Sequence, residues 1–102
     1  MELLEKCRVE IRTKSAAFDE ELLGLIEACK LDLKIAGIKV KDGDALIERA
    51  ILIYVKANFG IENKDFEKLN AAYEMLKISL GLSGDYNVEQ NVQTREKYNQ
   101  EK

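Results

Sequence analysis

The side chains able to do chemistry are few and scattered. The 102-residue chain holds Cys7 and Cys29, an acidic triplet Asp19-Glu20-Glu21 and an Asp42-Gly43-Asp44 turn sequence, and it has no histidine. Without imidazole there is no ordinary proton shuttle near neutral pH, and the usual Ser-His, Cys-His and His-metal sites cannot be built. Two cysteines 22 positions apart do not make a zinc ribbon, and no glycine-rich phosphate loop occurs. Asp42-Gly43-Asp44 lacks the further ligands and closing glutamate of a calcium loop, so it reads as a turn followed by a cap. Acids in a first helical turn are favoured by the helix dipole alone, which accounts for the triplet. The expectation is therefore no catalytic, metal or cofactor-binding residues, and Cys7 and Cys29 as small, reduced, buried hydrophobes.

Two groups remain that could serve a partner. Lys30, Lys34, Lys39 and Lys41 gather four positive charges around one helix end, either as a DNA- or partner-facing basic patch or as complements to a helix C-terminus. Tyr86, Val88, Val92, Arg95 and Tyr98 stand in a C-terminal stretch of Asn, Gln, Glu and Lys that has too little apolar surface to hold itself. Its apolar members either rest on the domain's own surface or anchor the tail in a partner's groove.

The elements that must position these groups are helices. Proline is absent, and spacings of three and four align Leu3, Leu4, Cys7 and Ile11, then Phe18, Leu22, Leu25, Ile26, Cys29, Leu33 and Ala36. Gly37 ends the second helix, with Ile38 folding back on Leu33. Asp44 caps a third helix that is apolar nearly all round: Leu46, Ala50, Ile53, Tyr54 and Ala57 on one face, Ile47, Ile51 and Val55 on another. It is expected to be central and most buried. Gly60 closes it, with Ile61 reaching back to Val55, and Asn63 caps a fourth helix lined by Phe66, Leu69, Tyr73, Met75, Leu76 and Leu80. The expected fold is all-α, a bundle of four main helices at about 2–12, 16–36, 44–59 and 63–81, with a domain over 1–84 and a docking tail over 85–102.

Composition agrees with one packed core. Apolar residues make up 46% and charged residues 34%, and the net charge of −3 provides no electrostatic footprint for gripping a phosphate backbone. The longest nearly apolar run, Ala50 to Val55, is far short of a membrane span, and no signal-peptide core opens the chain, so a cytoplasmic site of synthesis and no membrane partner are expected.

The run Ala17 to Leu22 with Leu25 to Ile38, then Leu46 to Gly60, Ala72 to Lys77 and Leu82 to Tyr86, resembles the head-tail connector (adaptor, or head completion) proteins of tailed bacteriophages. The likeness covers roughly residues 1–86 and rests on the order and spacing of core positions and caps. What it implies is a structural virion protein at the head-tail interface, assembled in the host cytoplasm. Such a protein forms a homo-oligomeric ring, typically dodecameric, that binds the portal protein and a stopper or tail-completion protein. Genomic DNA passes through the ring without sequence-specific contacts. The rival expectation is a small cytoplasmic helical regulatory protein that binds DNA or a transcription factor through the third and fourth helices. The apolar third helix and the exposed Glu67 and Glu74 of the fourth speak against it.

Overall fold

A computed structural model describes residues 2–88. Four helices follow one another: α1 (Leu3–Glu10), α2 (Asp19–Ile35) after a 3-10 turn at Ala16–Phe18, α3 (Ala45–Asn58) and α4 (Phe66–Leu82). The all-α bundle is as expected; α1 is shorter at both ends than the periodicity indicates, and α4 starts three residues later and ends one later.

Each end has a local cause. Arg12 adopts φ 60°, and the Arg12 and Thr13 N–H groups donate to the Val9 and Arg8 carbonyls at 3.0 and 2.9 Å, which terminates α1 two residues early. This is the glycine-type helix ending, made here by a residue that pays for a left-handed backbone. Ser15 Oγ accepts from the Ala17 N–H at 2.9 Å and starts the turn into α2. At the far end of α2, Gly37 has φ 82°, and the Ile38 and Gly37 N–H groups donate to the Leu33 and Lys34 carbonyls at 3.0 and 2.9 Å. Ile38 is thereby buried against the core, as expected of a Schellman ending.

Asp44 caps α3, accepting from the Leu46 and Ile47 N–H groups at 2.9 and 3.1 Å. The exit of α3 differs from expectation. Phe59 leaves the helix extended and packs edge-on against Phe18 with ring centroids 5.3 Å apart, while Ile61 is fully exposed and does not reach Val55. The start of α4 differs too. Asn63 lies before the helix, where its Oδ1 accepts from the Asp65 N–H at 2.9 Å. Its amide donates to the Lys56 carbonyl at 2.7 Å and the Ala57 carbonyl at 3.3 Å. Its side-chain amide satisfies open carbonyls at the end of α3, and of the N–H groups of α4 only that of Phe66 reaches it, at the Asn63 main-chain carbonyl 3.1 Å away.

The core contains Cys7 of α1, Leu22, Ile26, Cys29 and Leu33 of α2, Ile47, Ala50, Ile51 and Val55 of α3, and Tyr73 and Leu80 of α4. With five buried residues, α3 packs on all three other helices and is the central element. Phe18, Ala36, Leu46, Phe66 and Met75, expected inside, are exposed. Met75 lies two residues from inward-facing Tyr73, which on a helix is the opposite side. Helices α2 and α4 run in the same direction and α3 runs against them: Asp44, at the start of α3, meets Tyr86 beyond α4, while Gly60, beyond α3, donates to Glu21 in the first turn of α2.

Both thiols are fully buried and unpaired, and burial pushes each up to about 11. Reaction with a maleimide or a disulfide reagent is therefore expected only on unfolding, at the unfolding rate. Prompt modification of either thiol in folded protein would contradict this core.

Candidate functional site

Several of the described polar side chains hold helices together. Arg8 of α1 makes a two-pronged contact with Asp19 at the start of α2, and this pairing holds the Asp19 carboxyl below its ordinary value. Lys6 reaches Glu48 of α3 at 2.5 Å. Between α2 and α4 the Cys29 thiol donates to the Tyr73 hydroxyl at 3.7 Å. Tyr73 in turn donates to Asp32 Oδ2 at 2.6 Å, and Lys77 Nζ donates to the same oxygen at 2.9 Å. Burial pushes Asp32 up, but the hydrogen bonds from Tyr73 and Lys77 outweigh it and leave the carboxyl below its ordinary value. For Tyr73, burial and the Asp32 bond both push the hydroxyl far up, so it is a donor and not a base.

A groove of about 400 Å³ between α1 and α3 is lined by Lys6, Glu10, Ala45, Glu48, Arg49, Leu52 and Ile53. Its lining has no Cys, Ser or Thr, and no group of three or more His, Cys, Asp or Glu side chains converges as metal ligands among the described residues. Nor is any described helix long and apolar enough to cross a membrane.

The residues expected to face partners are divided by the structure. Tyr86 is half-buried on its own domain: its hydroxyl donates to Asp44, with oxygens at 3.0 and 2.9 Å, its carbonyl accepts from the Lys39 N–H, and Lys41 Nζ stands 4.6 Å from its ring centre. The Asp44 contact raises the Tyr86 hydroxyl above its ordinary value, while the Ile47 N–H, foremost, draws Asp44 down. Asn87 forms an antiparallel bridge with Ile38, and the Val88 N–H donates to the Gly37 carbonyl at 2.8 Å. The first residues after α4 are thus stitched to the end of α2. Val88 keeps an exposed side chain, and Val92, Arg95 and Tyr98 lie outside the described residues.

Of the four lysines, Lys30 pairs with Asp42 at 3.8 Å and Lys41 covers Tyr86, which leaves Lys34 and Lys39 as the exposed pair without a described ionic contact. The structure brings the lysine cluster and the start of the tail to the same end of the bundle, a juxtaposition that neither segment signals alone. Sequence reasoning singled out Asn63 as a cap of α4 but not for its bonds to α3, and it did not anticipate the Cys29–Tyr73–Asp32–Lys77 chain, whose bonds join residues 41 to 45 positions apart.

Among the described residues, the exposed surface is a set of helix faces. Neither a curated protein nor a solved structure shows significant similarity to the chain. The family described as phage connector protein, in contrast, matches residues 5–87, nearly the whole of the described domain. The chain belongs to the phage connector proteins.

Proposed function

We propose that this connector protein is the repeating unit of a ring, of about twelve copies, seated beneath the portal, where it joins the DNA-filled head to the stopper or tail and lets the genome pass. The observation that carries the reading is the family match over residues 5–87. A structural role also suits a domain whose Cys29, Tyr73, Asp32 and Lys77 are committed to bonds between α2 and α4. Size supports a ring: helices packed 8–10 Å apart make a bundle roughly 20 Å across, so twelve span roughly 240 Å of circumference and leave a hole roughly 28 Å in radius. Twelve chains of net charge −3 carry about −36 in all, a sign that lets duplex DNA slide without sticking.

The tail provides docking in this reading. Residues 85–88 belong with the domain because they are bonded to the end of α2, so the docking segment proper starts beyond Val88, with Val92, Arg95 and Tyr98 as its anchors and Lys34 and Lys39 beside its root. Deletion of residues 89–102 is expected to leave thermal unfolding within a few degrees of the full chain while binding to portal-containing particles falls at least tenfold. Full-affinity binding by the truncated protein would remove the tail from the account. Particle mass in solution, with and without a portal protein, tests the ring itself.

A further inference from the structure

Two helices show apolar residues on the side turned away from the core. On α2, Leu22, Ile26, Cys29 and Leu33 face inward, whereas Gly24, Ala28, Leu31 and Ile35 recur at spacings of four, three and four on the opposite side. Leu31 is 59% exposed and Ile35 85%. On α4, Tyr73 and Leu80 face inward, and Ala71, Met75, Ile78 and Leu82 recur outward at the same spacings, the three large ones 61–75% exposed. A four-three-four recurrence is the seam along which two helices pack side by side.

We infer that these are the two halves of one contact between copies of this chain, the outward stripe of α2 on one subunit packing in parallel against the outward stripe of α4 on its neighbour. This rests on the ring reading, and three observations favour it over other pairings. The first is direction. A rotation of about 30° between neighbours in a twelvefold ring nearly preserves helix direction, so an α2 that runs parallel to its own α4 also runs nearly parallel to the neighbour's.

The second is register. A constant offset of 47 places Gly24 beside Ala71, Ala28 beside Met75, Leu31 beside Ile78 and Ile35 beside Leu82. One layer further on, the same offset sets exposed Glu21 against exposed Lys68, a pair of opposite charge at the end of the seam. Small residues at the first layers let the backbones approach, and an added Cβ at Gly24 would meet nothing within 4 Å inside its own subunit. The third is extent. A four-layer seam is well short of the roughly 20–30 residues a side of a stable lone dimer. It becomes useful where each subunit makes two such contacts and closure of the ring makes the last of them intramolecular.

Variants with one added cysteine each, Ala28→Cys and Met75→Cys in the full chain, mixed and treated with a short bismaleimide, test the pairing; the native thiols are buried and silent. The expected product is a crosslink between the two variants with neither variant linking to itself, and the double variant is expected to give a ladder of multimers. Self-linked dimers alone, or no link in particles whose native mass shows a ring, would overturn this pairing and leave the ring reading standing. Absence of any assembled particle, alone or on portal, would overturn both.

Discussion

Leu33→Ala is expected to lower the unfolding free energy by about 3 kcal/mol, and Ile35→Ala, two residues along the same helix, to change it by less than about 0.5 kcal/mol. Leu33 has no exposed surface and touches the core where α2 ends. Its carbonyl accepts the Ile38 N–H, and Ile38 in turn bridges Asn87, so a cavity here is shared by the helix ending and the strap that follows α4. These two linked contacts limit how far the site can collapse, which keeps the loss above the bottom of the usual range of about 2–5 kcal/mol. Ile35 is 85% exposed, and alanine is the better helix former, so the isolated domain loses little there. Urea unfolding of both variants, at a dilution where the particle mass is that of one chain, checks the contrast. Equal losses would mean that α2 faces the core differently.

The second large effect is expected at Tyr73, whose hydroxyl stands between the Cys29 thiol and the Asp32 carboxylate. Tyr73→Phe keeps the ring, its edge-on contact with Tyr54 at 5.2 Å and its place in the core, but deprives Asp32 of a donor and leaves the Cys29 thiol without its acceptor. A hydrogen bond to a charged group contributes about 1.5–3 kcal/mol, and the lower end applies because Asp32 is partly open to water and retains Lys77. The loss carries a pH signature. Because the folded-state value of Asp32 lies below its ordinary one, its contribution is complete above about pH 4–5 and fades as pH falls through the folded-state value. The gap between the parent protein and Tyr73→Phe is therefore expected to be constant from pH 7 to about 5 and to narrow below about pH 4. Asp19 and Asp44, also held below their ordinary values, make the parent itself lose stability in the same acid range. A gap that did not change with pH, or no gap at pH 7, would contradict the role given to the Asp32 bond.

What could be read in advance follows from how local each cause is. The Gly37 ending and the Asp44 cap depend on residues within five positions of one another, and both stand in the structure as the sequence indicates. The burial of α3 was legible because apolar residues on two faces leave no side for water. The end of α1 was not, since an arginine in a left-handed conformation carries no mark in the sequence. Asn63 has the composition of an N-cap, yet the closeness of the end of α3 in space gave its amide two carbonyls to satisfy, and α4 begins three residues later. At Ile61 a hydrophobic residue after a glycine looked like a staple, but Phe59 had already left the helix and taken Phe18 as partner. The candidate surface was the least legible part. A helix with apolar residues on two sides conceals which side faces the core until its neighbours are placed, and Met75, on the outward side of α4, shows it.

The most direct measurement is the native mass of the full chain, alone and with a portal protein. A closed ring predicts a discrete species near twelve times the 11.6 kDa of one chain, appearing on the portal if not before it. A single chain or a simple dimer under both conditions would contradict the account of this protein as a ring subunit.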